Sequence, residues 1–426
     1  MSDIDGLKRQ VLQWIDDESA ALVDFLAGFV RAASPNPPGE TRAAADHVRA
    51  FLKARGLPFA VVAPRAEMPS VVGTFGCAGA GRHLALNGHI DVYPVTDAEG
   101  WRRPPFSGEI AEGRVHGRGT ADMKCGTTAS LAAYAYLHRL REKLGGRVSL
   151  SVVSDEETGS RWGTGYLMQH HPELIGDCCL NGEPGSPHVV RIGEKGLLWA
   201  RFTVRGLPGH GGYPIPASGA IASAARLIVD LERVTHLAQA TPPALAAALA
   251  QARGAMERGL GAGVVEAVQS VTLNVGTIRG GTKISLRATE CVFDADIRLP
   301  IGIEKPVLMN ELQAILAGHP EARMEELIFA APNVSDPNGE MVGIIQDNVE
   351  RLRGFRPPPA VSIGGSDARF WRYRGIPAYI YGPTPTGVGG SNEFVEIDEF
   401  LHIVRTHALA AIDYLGRGQR FHRTID

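Results

Sequence analysis

Four times between residues 83 and 184, an apolar strand-like run or a Gly-rich turn ends in carboxylates or an imidazole. The segments are His83–Asp91 (HLALNGHID), Val115–Asp122 (VHGRGTAD), Arg147–Val153 with the following Ser154-Asp155-Glu156-Glu157-Thr158-Gly159, and Asp177–Leu180 with the following Asn181-Gly182-Glu183-Pro184. Helical patterns separate them, Cys125–Arg141 being rich in Ala and Leu. Strands alternating with helices fold as an α/β body with a largely parallel sheet and helices on both faces. In open sheets of that kind, ligands bind beyond the strand ends. Two adjacent carboxylates at such a place repel, so Glu156 and Glu157 call for a nearby cation or a raised pKa.

Each signal is weak alone. An acidic pair is ordinarily a solvated loop, and a His-x-Asp is ordinarily a satisfied loop histidine. Read together, His89, Asp91, Asp122, Glu156, Glu157 and Glu183 describe mixed nitrogen and oxygen ligation. That donor set suits zinc, manganese or cobalt, because buried charges need partners or a metal.

The rest of the chain sets the frame. Its 426 residues suggest two or three domains, and 44% hydrophobic with 21% charged residues is ordinary globular composition. A net charge of −3 argues against nucleic acid or an anionic membrane as a partner. No apolar run approaches the ~20 residues of a spanning helix, and the N-terminus lacks a basic-then-apolar signal. The expected location is cytoplasmic, where five cysteines without a C-x-x-C pair stay free thiols.

Residues 7–31 and Thr41–Arg55 read as helices. The pattern changes at Gly193-Glu194-Lys195-Gly196. Leu197–Val204 alternates as a half-exposed strand, Ala220–Val234 is an amphipathic helix, and Val268–Ile278, Glu290–Ile297 and Arg323–Phe329 are strand candidates with a helix at Glu304–Leu316. Thr241–Gly263 adds helix and loop. An α+β unit, 196–332, is therefore expected as an insertion in a larger body made of 1–195 and 333–426. Helix 340–353, strands Ala360–Ile363 and Ala378–Tyr381, and helix 398–415 complete that body.

The motifs Asn87–Pro94 (NGHIDVYP), Gly117–Lys124 (GRGTADMK), Ser154–Gly159 (SDEETG) and Asn181–Pro184 (NGEP), in this order, resemble those of a metallopeptidase family. That family holds aminoacylase, acetylornithine deacetylase, succinyl-diaminopimelate desuccinylase and carboxypeptidase G. The resemblance spans essentially the whole chain and implies a zinc-peptidase-like catalytic domain with an inserted lid that dimerises. It implies His89 and Glu183 as ligands of a first metal, Asp122 as a bridging ligand, and Glu157 as a ligand of a second metal. Glu156 would be the general base, and Asp91 would hold the ring of His89.

In the lid, Gly206–Gly212 (GLPGHGG) resembles the segment whose histidine, here His210, reaches the partner's site to stabilise an oxyanion. Arg298, in Asp294-Ala295-Asp296-Ile297-Arg298, would face a substrate carboxylate or make a structural salt bridge. Ser285, Arg287, Asn274 and Arg369 complete the implied substrate-binding set. Asp367, in the Gly-Ser-Asp loop, is expected to stabilise that loop.

Two departures stand out. The family's last ligand is a histidine three residues before an Asn-Glu pair, and Gly389 occupies its place before Asn392-Glu393. One divalent transition metal per active site is expected. Ser285 and Arg287 stand where asparagine and proline are common. The expected activity is metal-dependent hydrolysis of a C–N bond in a small carboxylate-bearing molecule, with a homo-oligomer formed through the lid. The alternative is an aryl-amine deaminase resembling 5-nitroanthranilate aminohydrolase. A silent binding protein would have lost Glu156 or His89, and both are present.

Overall fold

The computed structural model describes residues 4–214, 218–238 and 241–417. A nine-stranded sheet forms the centre of the larger body. Gly79–His89 lies parallel to Gly145–Val153 on one side and to Cys178–Asn181 on the other, and Ala378–Ile380 continues parallel to Cys178–Asn181. Antiparallel strands close the rims, Ala60–Val62 on Ser70–Gly76 at one and Asn333–Val334 on Val190–Glu194 at the other. The strands Leu84–Ile90 and Val148–Val153 are almost wholly buried because helices cover both faces. Cys125–Arg139 and Ile397–Arg417 pack together across one of them.

Three register-matched polar residues interrupt this apolar interior. Asn87 pairs across the sheet with Ser151 and Asn181. Asn181 Nδ2 donates to Asn87 Oδ1 at 2.7 Å, and Asn87 Nδ2 donates to Ser151 Oγ at 3.1 Å. A buried amide ladder costs stability unless every member is paired. Here it locks three strand ends side by side, two residues below His89.

The expected helix over 7–31 is two helices, Ile4–Asp17 and Ser19–Arg31, with Glu18 outside helical geometry. Three consecutive acids, Asp16, Asp17 and Glu18, oppose the negative end of the first helix dipole and end it there.

The second body is a four-stranded antiparallel sheet in the spatial order Thr272–Gly280, Glu290–Leu299, Gly196–Arg205, Ala322–Ala330. Helices Ala220–Leu231 and Lys305–Ala317 cover one face, and Leu198, Phe202, Phe293, Ile297, Leu227 and Leu312 form its own core. The expected strand over Val268–Ile278 begins only at Thr272, since Val264–Gln269 is helical. A short apolar run does not tell strand from helix by periodicity.

The interval 196–332 does not pack as one unit. Helices Pro243–Leu260 and Val264–Gln269 lay Leu245, Leu249, Met256, Val264 and Val268 into the core of the larger body, the first of them against Pro359–Ser362. Lys195 fastens this re-entrant segment. Its buried ammonium donates to Ala267 O at 2.7 Å, Ser270 O at 2.8 Å and Thr272 Oγ1 at 3.1 Å.

Candidate metal centre

His89 ends the central strand Gly79–His89, and its ring is fixed from behind. Nδ1 donates to the Asp91 carbonyl at 2.8 Å, which leaves Nε2 as the lone-pair nitrogen. Nε2 faces Asp122 Oδ1 at 3.2 Å and Glu183 Oε2 at 3.5 Å. The ligand atoms of these three buried residues lie within 4.8 Å of one another. All three atoms are buried without a hydrogen-bond partner. Orphaned polar atoms converging on one point are what a cation would satisfy, so the residues present fit a divalent metal.

Two further contacts set the positions of the carboxylates. Glycines let the backbones meet at the base of the site: a Cβ on Gly126 would sit 1.9 Å from Gly182 O. This close approach brings the start of helix Cys125–Arg139 against the strand end that carries Glu183. Glu393 then orders the Asp122 turn. Its Oε1 accepts the N–H groups of Ala121 at 2.9 Å and Asp122 at 3.1 Å, while its Oε2 takes Arg118 Nη1 at 2.6 Å. Removing one partner of such a buried pair costs about 3–5 kcal/mol.

The electrostatics report a site short of positive charge. Burial, then Glu183, drives the Glu156 carboxyl well above its ordinary pKa, and burial, then Asp122, does the same to Glu157. Glu183 is pushed up to about 7 by burial and by Asp122. Burial works against charge on His89, yet Glu183, Asp122 and Asp91 together raise its pKa well above the usual value. These carboxylate shifts share one cause, buried acids crowded on one another, an arrangement that favours positive charge among them.

Asp91 lies behind this cluster. Its Oδ1 accepts the Glu156 N–H at 3.2 Å, and Oδ2 accepts the Glu157 N–H at 3.1 Å and Asn36 Nδ2 at 2.9 Å. It therefore holds the Glu156–Glu157 turn as well as standing 3.5 Å from His89 Nδ1. Glu156 Oε1 meets Arg369 Nη1 at 3.3 Å, and Arg369 is itself fixed on Ser366 O at 2.7 Å and Ser160 Oγ at 3.2 Å. Asp367 accepts Thr164 Oγ1 at 2.7 Å and also the Ser160 hydroxyl.

A cleft of about 500 Å³ opens between the two bodies and is lined by Glu156, Glu157, Arg369 and Arg298. Arg298 meets Asp296 through Nε at 2.8 Å. Asn274 is exposed on the edge strand, outside this cleft. His210, Ser285 and Arg287 gather elsewhere, at a loop pair closed by Gly211 N to Ser285 O and Arg287 N to Gly209 O, both 2.8 Å. His210 Nδ1 accepts the Gly212 N–H at 3.1 Å, which makes its exposed Nε2 the proton-bearing nitrogen.

Glu157 is not within the three-residue cluster, and its buried Oε1 has no partner. Gly389 is exposed at φ +72°, with open space where a side chain would start. His402 is committed to the Tyr381 hydroxyl at 2.7 Å. The sequence reading missed the positioning roles of Asn36, Asn87, Asn181 and Arg118. For Asn87 and Asn181 the signal was available: an amide inside an apolar strand needs a buried partner.

Known proteins agree with this architecture. Residues 85–413 match the model of peptidase family M20/M25/M40. A succinyl-diaminopimelate desuccinylase of Cereibacter sphaeroides (strain ATCC 17029 / ATH 2.4.9) is 33% identical over 359 residues, 82% of this chain and 87% of that protein. Among solved structures, the M20 family metallo-carboxypeptidase Sso-CP2 from Sulfolobus solfataricus superposes with a TM-score of 0.79 at 19% identity, covering 92% of this chain and 99% of that one. Human carnosine dipeptidase 1 gives 0.78 at 14% identity, over 97% and 99% of the two chains. The aryl-amine alternative finds no support in these relatives. With the family model covering most of its length and a homologue of this identity, the chain belongs to the M20/M25/M40 peptidase family, whose members hydrolyse C–N amide bonds.

Proposed function

We propose that the chain is a metal-dependent amidohydrolase acting on a small, carboxylate-bearing amide. The convergence of three buried, unpartnered ligand atoms beside Glu156 carries this reading. His89, Asp122 and Glu183 would hold one divalent zinc, manganese or cobalt ion, which polarises the amide carbonyl and makes water a stronger acid. Glu156, at the cleft edge, takes the proton from the attacking water and delivers it to the leaving nitrogen. Arg369 and Asp91 keep that carboxylate and its turn in place. Arg298 receives the substrate carboxylate. The partner's His210 supplies an Nε2–H to the developing oxyanion across a homodimer formed through the small sheet. The desuccinylase name of the relatives places succinylated amides among the substrates to test.

The decisive experiment is Glu156→Gln. Turnover of an N-acyl amino acid should fall by about 10²–10⁴-fold, while metal content measured by emission spectrometry stays that of the unmodified protein. Turnover above a tenth of the original rate would remove Glu156 from the base role.

A further inference from the structure

We propose that the cleft selects an amide carrying one aromatic or large apolar group and a single carboxylate, in preference to a polyanionic succinylated substrate. This rests on the hydrolase reading and names its substrate class. The first observation is composition. Aromatic residues make up 7% of the chain, yet five of the fifteen residues lining the cleft are aromatic: Tyr93, Trp199, Phe329, Phe370 and Tyr373. Enrichment of that size is not what a solvated groove would collect.

The second observation is exposure. Tyr93, Trp199 and Tyr373 are 41%, 36% and 44% exposed, although the Glu156 side chain among them is only 11% exposed. Large rings left open to water around a mostly covered polar group are the usual make-up of a small-molecule site, apolar walls with few convergent polar atoms. They come from both bodies: Trp199 from the small sheet, and Tyr93 and Tyr373 from the larger body, while Phe329 and Phe370 border the cleft with rings packed against the cores of the two bodies. A ring held between them would bridge the two.

The third observation is charge. The lining holds two arginines. Arg369 is spent on Glu156, Ser366 and Ser160. Among the described residues Arg298 hydrogen-bonds through Nε only, to Asp296, so its fork remains for one carboxylate. A succinylated diamino diacid carries three carboxylates and one ammonium. Beside Glu156 and Glu157, Arg298 is, among the described residues, the one arginine of the cleft's lining with a free fork, so two of those carboxylates would depend on the bound ion or the partner chain for a countercharge, and desolvating unpaired anions is costly.

The test uses manganese-loaded protein with N-acetylphenylalanine, N-acetylalanine and N-succinyl-LL-diaminopimelate. It reads kcat/KM for the unmodified chain and calorimetric affinity for the Glu156→Gln variant. The phenyl substrate should exceed the alanine one by about tenfold or more in both readouts, and exceed the succinylated one likewise. Trp199→Ala and Tyr373→Ala should each shrink the phenyl-to-methyl ratio about threefold or more. Equal or inverted ratios, or a best substrate that is succinylated, overturn the proposal. If no amide is cleaved, the hydrolase reading fails by itself, and the affinity ratio still decides: tighter phenyl binding supports the aromatic cleft, and equal binding rejects it.

Discussion

One carboxylate, that of Asp91, ties three segments of the chain together: the Asn36 loop, the Glu156–Glu157 turn and the His89 strand end. Its neighbour in the site, Glu157, has the opposite character, a buried oxygen with nothing to bind. The loop at Gly389, and not that oxygen, bears on stoichiometry. With glycine at 389 there is no imidazole on that loop to complete a second position, so the protein should carry one tightly bound ion per chain. Metal analysis after exhaustive loading and gel filtration checks this, and two retained ions per chain would refute it. Gly389→His should raise the retained content towards two, at a stability cost of about 1 kcal/mol for a side chain at positive φ.

At the scale of elements, the C-terminal helix Ile397–Arg417 contains a second kind of buried polar device. His407 Nε2 donates to the Tyr381 carbonyl at 2.7 Å, and His402 Nε2 meets the Tyr381 hydroxyl at 2.7 Å. Burial pushes both imidazoles down to about 4. Unfolded histidine titrates near 6.5, so between those values the unfolded chain binds the extra protons. Stability is therefore complete above about pH 6.5 and is lost as the pH falls towards about 4, by on the order of 3 kcal/mol for the fully buried His407. Urea midpoints at several pH values should show this slope, and His407→Gln should flatten it. A variant with the parent's slope would exclude His407 as the source.

Elements of this kind also mark what the sequence made legible. The strand ends at His89, Glu156 and Glu183 were readable because apolar runs stop there in polar residues. Helix Glu340–Arg353 lies where its periodicity puts it. The route of Pro243–Leu260 was not readable, because an Ala-rich helix shows which face is apolar but not which core receives it. The aromatic walls of the cleft were equally hidden. Tyr93, Trp199 and Tyr373 are far apart in sequence, and no local pattern distinguishes an aromatic that lines a cleft from one that fills a core.

For the whole molecule, the separation of His210, Ser285 and Arg287 from the metal cluster is the main fact. Leu207, Tyr213, Ile278, Ile284 and Leu286 are exposed around that loop pair and its edge strand. An apolar edge left open in this way is an aggregation hazard unless a partner covers it. If the partner's His210 completes the site, co-expression of Glu156→Gln with His210→Ala chains should restore activity that neither has alone. The expected level is about a quarter of the unmodified rate, since about half of randomly assorted dimers are mixed and each has one complete site. Activity no higher than the sum of the separate variants would show that each chain works alone.

The re-entrant helices Pro243–Leu260 and Val264–Gln269 bear on how such a protein can be rearranged. An inserted unit joined at two points can be cut out, swapped or shuffled as a cassette. Here the chain leaves the larger body at Gly196, returns by Pro243, leaves again after Gln269 and returns near Asn333. Excising 196–332 would strip Leu245, Leu249, Met256 and Val268 from the core they complete and leave the strand Pro359–Ser362 uncovered. The small sheet keeps its own core within that interval, but the larger body does not, so recombination breakpoints placed at the two ends of the interval would leave the larger body incomplete.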